Sequence, residues 1–424
     1  RLEVDATKVG LAAGLAITGW AFTQFDGTVY WDNAGIQDFQ PTGPAAEITR
    51  LNSKLASLDS GSPTVMVMSE MTPRRKTFVL TRGQYDQPTK TEVQPDVPSV
   101  LGKLPAESPR NRLALANWLV AQDNPLTARV AVNRYWQMYF SNGLVNTPED
   151  FGTQGEPPSH PELLDWLATK FVESGWDVKA MQKMIVMSST YRASSRSTKE
   201  LNELDPENRL FARGPRFRLS AELIRDHALA TSGLLVKQIG GPSVRPYQPP
   251  GLWDDVVYGN APRFVQDHGE KLYRRSFYTY WKRSVPPPNL QALDAPSREA
   301  CTLKRSLTNT PQGALVLMND PTFIEAARVL AERTLREGGD SSQSQLDTMF
   351  RLVLGRIPSD VESQRIRLVW DGMLADYREN PENAAELLKV GESPRDETLD
   401  VSKVAAFTAI ANALFCLDEA ISRN

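Results

Sequence analysis

From Asn111 onward the chain is punctuated as a succession of helices, and that punctuation constrains the fold more than any other feature of its 424 residues. Asn124-Pro125 reads as an N-cap followed by proline at the first helical position, where the missing amide costs nothing. Leu126, Val130, Tyr135, Trp136 and Phe140 then recur at helical spacing, and Gly143 is the expected stop. Ser159-His160-Pro161-Glu162 and Ser359-Asp360-Val361-Glu362 each place Glu three residues after a serine, the signature of a capping box. Asp177, Ser220 and Asp320-Pro321 open further periodic stretches, and Gly175 and Gly355 close two. A last helix is expected near Val401 to Ile421. The fold class is therefore mainly α, a multi-helix domain over 110–424.

That domain carries an irregular insertion at about 238–318, punctuated by Gly240-Gly241-Pro242, Pro249-Pro250-Gly251 and Pro286-Pro287-Pro288. Structureless stretches of this length inside a domain are usually functional. Within it, Tyr273 to Arg283 has aromatics in near alternation and reads as a strand. Arg275, Phe277, Thr279, Trp281 and Arg283 would then share one face, and Arg274, Ser276, Tyr278 and Tyr280 the other. Asn380 to Leu399 reads as polar and loose. Ahead of the helices, residues 1–40 read as a small β segment with an Asp26-Gly27 hairpin turn, too few strands to bury both faces alone. Residues 41–109 read as a linker. It holds a short helix at Ile48 to Leu58, a strand pair (Val65 to Met68, Thr77 to Leu80) and a proline-rich connector from Gln87 to Pro109.

A net charge of −3 argues against nucleic-acid binding, which normally needs a basic face. The apolar run Val9 to Phe22 is too short to span a bilayer, so no membrane span is expected. Arg1 begins no signal peptide, so an export signal is expected on a segment outside this chain. The two cysteines, Cys301 and Cys416, form no C-x-x-C, so this chain is expected to hold neither a zinc ribbon nor covalent haem, and they read as buried small side chains. Neighbouring Arg298, Lys304 and Arg305 would favour a thiolate at Cys301. His160, His227 and His268 are too dispersed for a metal signature; His227 reads as a hydrogen-bonded histidine on the apolar side of its helix with Leu223 and Leu234, and His268 as solvated. Nucleophile-elbow and phosphate-loop motifs are missing.

The best site candidate is an arginine and aromatic cluster: Arg213, Arg216 and Arg218, with Arg274, Arg275 and Arg283 around Tyr278 and Trp281. Guanidinium forks bind carboxylate or sulfate, and aromatic faces stack on sugars, so the set would suit an acidic or sulfated polysaccharide. The bland alternative is internal pairing with Glu149, Asp150, Glu222, Asp226 or Asp294, His227 being a further acid/base or pairing candidate. Glu149-Asp150 and Asp254-Asp255 also raise a glycosidase hypothesis, which needs two carboxyls flanking a sugar.

Several strings are specific. They are Asn111 to Leu119 (NRLALANWL), Thr147 to Leu167, Arg213 to Leu219, Tyr247 to Trp253 (YQPPGLW) and Arg274 to Arg283. Together they resemble the C-terminal domain of uncharacterised function in large secreted proteins of planctomycetes and related bacteria. The resemblance implies export to the periplasm, cell surface or medium, and polysaccharide-related biology. It implies companion cytochrome c and lectin-like domains, residues 1–40 resembling the end of a lectin-like sandwich. Haem c would sit on a segment outside this chain. No catalytic residues are implied. Two functions follow as expectations: a non-catalytic structural or interaction module that docks those companion segments, or a carbohydrate-active, redox-coupled enzyme or glycan-binding module.

Overall fold

The computed structural model describes residues 43–62, 64–254 and 263–423. The strands expected within 1–40 lie outside them. The chain falls into two units, one reaching Glu92 and one starting at Val93.

In the first unit, α1 (Pro44–Gly61) occupies the site of the expected short helix and buries none of its residues. β1 (Thr77–Leu80) pairs with β2 (Pro88–Val93). The strand expected at Val65 to Met68 does not form: those four side chains stand in water and no ladder reaches them. The segment read as an extended, proline-rich connector begins with a paired strand, β2, with Pro88 at its first position, where a missing donor is tolerated.

The second unit is helical, as its punctuation predicts. Among the described residues it holds α2 (Arg112–Leu119), α3 (Thr127–Phe140), α4 (Pro161–Glu173), α5 (Val178–Met187), α6 (Lys199–Leu204), α7 (Ala221–Ser232), α8 (Pro288–Gln291) and α9 (Pro311–Asn319). These are followed by α10 (Pro321–Glu337), α11 (Ser342–Leu354), α12 (Asp360–Glu379), α13 (Pro381–Leu387), α14 (Val401–Phe415) and α15 (Asp418–Ile421). A two-residue ladder, β3 (Phe217–Arg218) against β4 (Ser422–Arg423), ties the chain end to the middle.

Among the described residues three apolar clusters result, the smallest being Leu229, Leu272 and Tyr273, and the other two form the main cores. In the smaller, α3, α4 and α5 enclose Val132, Trp136, Phe140, Leu167, Phe171 and Ile185. In the larger, α10 lies centrally against α14, α7 and α11. Ala326, Ala327 and Ala331 on α10 and Ala405, Ala406 and Ala411 on α14 are buried, and such small side chains let two helix axes approach closely. Phe323, Phe350 and Phe407 fill the remaining space.

The cap predictions divide. Asp177, Asp320 and the Ser359–Glu362 capping box cap their helices as read. Ser159 does not: its amide and hydroxyl both reach the Leu144 carbonyl, and His160 takes the N-cap position of α4 without a side-chain bond. Asn124 accepts from the amides of Leu126 and Thr127, so α3 starts two residues after Pro125. Its stop is Ser141, at φ 66°, not Gly143. The 380–399 stretch is not loose, because α13 buries Ala384 and its C-cap residue Leu388 is buried beside it in the larger core. The insertion likewise contains α8 and α9.

One glycine is held by close approach. At Gly391, φ is 93° and a Cβ would lie 2.2 Å from Cδ of buried Glu325. Gly391→Ala should therefore lose at least ~2 kcal/mol of stability by denaturant unfolding. Gly372, exposed in the middle of α12 with nothing within 4 Å of an added Cβ, should gain ~0.5–1 kcal/mol as alanine. Glu362 supplies a pH-dependent check. Hydrogen bonds from Arg356 and then Ser359 lower its pKa to about 2. A carboxyl depressed on folding adds stability above its unfolded pKa and loses it as pH falls through the folded one. Glu362→Gln should lower Tm at pH 7, and its Tm should converge on wild type as pH falls toward 2.

Candidate functional site

The organising group of the second unit is Arg225, which the sequence reading passed over. Residues 221, 224, 225, 228 and 229 of α7 are buried, so Arg225 occupies a position in phase with the apolar face. That phase was the available signal. Arg225 is 1% exposed. Its Nη1 donates to the Arg274 carbonyl at 3.0 Å and to Ser276 Oγ at 3.1 Å, and its Nη2 to the Leu272 carbonyl at 2.6 Å. The adjacent Asp226 accepts from Ser276 N at 2.7 Å and Ser276 Oγ at 2.8 Å. Burial pulls the Arg225 pKa down, and the charges of Asp226 and Asp320 oppose that pull.

These bonds explain why Tyr273 to Arg283 is not the expected strand. Its carbonyls at 272 and 274 and its amide at 276 go to side chains of α7 rather than to a neighbouring strand. The segment becomes two short 3₁₀ turns, Gly269–Tyr273 and Ser276–Tyr278, with isolated bridges to Val236 and Val244. The predicted alternation survives from Arg274 to Tyr278, with Arg274 and Ser276 buried and Arg275 and Phe277 exposed, and breaks at Thr279, which is buried on the face expected to match Phe277.

The predicted cluster residues are mostly turned inward, in separate groups. Arg274 is buried and donates to the carbonyls of Gln238, Gly240 and Pro242 at 3.1, 2.6 and 3.2 Å. Its guanidinium lies 3.9 Å over the Tyr278 ring, and Tyr278 OH accepts from Gly240 N at 2.7 Å. Arg213 donates to the carbonyls of Asp205 and Pro206. Arg218 binds the Leu293 carbonyl and Asp294, whose carboxylate also takes Thr308 N and Oγ1. Exposed Arg216 pairs with Asp418. Trp281 donates to the Ser297 carbonyl and lies under Arg298, not among the other arginines. Arg275 is exposed, and Arg283 stands 3.9 Å from Glu299.

Of the five expected carboxylate partners, Asp294 holds a cluster arginine. Glu222 pairs instead with Arg305, and Asp226 serves Ser276. Glu149 and Asp150 take no part: Glu149 is exposed and Asp150 accepts from Gly152 N. The three histidines are apart. His227 hydrogen-bonds the Val353 carbonyl, and burial lowers its pKa, but its supposed apolar neighbour Leu223 is 54% exposed. His268 is exposed yet lies 2.7 Å from Glu392. Cys301, expected to be buried, is exposed, and Cys416 is half-buried.

A second buried polar group, also unforeseen, joins α10 to the 390–393 loop. Glu325 accepts from Tyr273 OH at 2.8 Å and Ser393 N at 2.6 Å, and Arg328 bridges Glu332 and the Ser393 carbonyl. Tyr247 OH accepts from Glu392 N, and burial together with Glu325 pushes the pKa of both Tyr247 and Tyr273 far above the ordinary range, so they stay protonated.

Tyr247 also borders an open cleft of about 570 Å³ between the insertion and the start of α10. Its apolar wall is Pro249, Pro250, Pro288, Leu315 and Val316. Its polar lining is Gln248, Gln266, Asn289, Gln312, Asn319 and Asp320. Asp320 caps α10 through Thr322 N at 2.9 Å and is hydrogen-bonded by Asn289; burial raises its pKa. Gln248 Nε2 is shut off from solvent and meets no acceptor among the described residues. Among the described residues no helix is long and apolar enough to cross a membrane.

Replacing Arg225 by methionine keeps the length of the side chain but strips the carbonyls of Leu272 and Arg274 of their donor. The variant should lose about 3–5 kcal/mol in denaturant unfolding, far more than Arg216→Met at the surface, which should stay within about 1 kcal/mol.

Among curated proteins and among solved structures nothing matches this chain. The family PSD1, a protein of unknown function (DUF1553), matches residues 111–370, more than half of the chain. All five strings singled out in the sequence fall within that span, as do Arg225 and the cleft. The chain belongs to the PSD1 (DUF1553) family of unknown function.

Proposed function

We propose that this chain is a non-catalytic interaction module of an exported, surface-associated multidomain protein, docking the cytochrome c and lectin-like segments that its sequence resemblance implies. The observation that carries the reading is a pair of exposed large apolar side chains on locked backbone. Phe277 is 79% exposed and Ile239 is 87% exposed. Ile239 lies between Gln238, whose carbonyl Arg274 holds, and Gly240, which is bonded to both Arg274 and Tyr278. Phe277 follows Ser276, which Arg225 and Asp226 fix. Apolar groups held in advance lose little entropy on binding, which favours contact with a partner.

A carbohydrate-active enzyme using the arginines on an acidic or sulfated polysaccharide is less well supported. Arg213, Arg216, Arg218 and Arg274 already bind acceptors within the chain.

The test is a pull-down of separately expressed cytochrome c and lectin-like segments of the full-length protein. Wild type should retain them, and Ile239→Ser combined with Phe277→Ala should lose at least tenfold in capture with unchanged Tm. Equal capture by the double variant would contradict the reading.

A further inference from the structure

The cleft beside Tyr247 has a chemistry that differs from the arginine cluster. None of its described lining residues is cationic, and its ionisable carboxyl, Asp320, is already committed to Thr322 N and Asn289. A ligand here meets no opposite charge. What it meets are amides. Among the described residues Gln312 is exposed with no bonded partner, Asn319 uses its Nδ2 on the Leu315 carbonyl and keeps Oδ1, and Gln266 uses Nε2 on Glu392 and keeps Oε1. Gln248 adds its amide to the lining, with Nε2 itself shut off from solvent and so out of a ligand's reach.

Primary amides offer both donors and acceptors, the combination a hydroxyl can satisfy from either side. Around them, Pro249, Pro250 and Pro288, joined by Pro321, make with Leu315 and Val316 an apolar wall suited to the C–H faces of a sugar ring. The volume of about 570 Å³ lies within the roughly 300–1,000 Å³ of small-ligand sites. An extended peptide would want a strand edge or a ridge of aromatics. The free amides here come instead from three separate segments, with one aromatic, Tyr247, whose hydroxyl is already bonded to Glu392.

We infer that the cleft bounded by Gln248, Gln312 and Leu315 binds an uncharged oligosaccharide, with the Gln312 amide and Asn319 Oδ1 meeting sugar hydroxyls and the proline wall taking a ring face. The site does not depend on the docking reading and uses none of its residues. It also replaces the acidic or sulfated sugar expected from the arginines by a neutral one.

The test titrates the whole chain by calorimetry with neutral gluco-, manno-, xylo- and galacto-oligosaccharides, with an oligogalacturonate, a sulfated oligosaccharide and a proline-rich peptide as comparison arms. A neutral oligosaccharide should bind. Gln312→Leu should weaken it at least tenfold with Tm unchanged, since Gln312 is exposed and its side chain bonds nothing among the described residues. Leu315→Arg, at a side chain 58% exposed, should block binding sterically without unfolding the chain. The inference is overturned if no neutral oligosaccharide binds, if a charged sugar or the peptide binds instead, or if both variants bind as well as wild type.

Discussion

A guanidinium shut away from water must be met by oxygen, and the structure of the second unit turns on how Arg225 meets that demand. The carbonyls of Leu272 and Arg274 and the Ser276 hydroxyl converge on it, while Asp226 takes the Ser276 amide. A long, proline-broken segment thereby gains the definite path that a sheet would otherwise give it. Arg274 repeats the device one layer out, gathering three carbonyls of the 238–242 loop. Each arginine does for the irregular backbone what ladder hydrogen bonds do for a strand, since buried carbonyls need donors from somewhere.

The helical body makes this arrangement affordable. Alanine faces on α10 and α14 pack closely, and the larger core continues into Leu290 and Leu293 of the insertion. The insertion is thus held by apolar burial at one end and by arginines at the other. Glu325 adds a further tie, drawing Tyr273 and the 393 amide onto α10 through a gap that Gly391 leaves open. Exposed apolar groups such as Phe277 and Ile239, and the amide-lined cleft, stand on this fixed backbone and draw any binding role from its rigidity.

Much of the fold was legible because capping and helical period are local. Asp177, Asp320 and Ser359 do what their sequence context states. Ser159 has the same pattern and fails because a distant carbonyl, that of Leu144, claims its hydroxyl. The site was less legible for the same reason. Counting arginines near aromatics found Arg274 and Tyr278, which do stack, but could not show that the guanidinium faces backbone rather than solvent. The alternation at 273–283 suggested a strand because pattern reading assumes that backbone groups pair with backbone. Arg225 was findable from its apolar phase on α7, and Gln248 from the Tyr247–Trp253 string; neither has a signal in composition.

The central claim is that side chains of α7 and Arg274 hold the 269–285 backbone as firmly as secondary structure would. Amide hydrogen exchange of the intact chain, read peptide by peptide, tests it most directly. The account predicts that Val236, Val244, Ser276 and Tyr278 amides exchange as slowly as those of α7, with protection of the 269–280 segment collapsing in Arg225→Met. Fast exchange across 269–280 in wild type, at the rate of an unstructured loop, would contradict it.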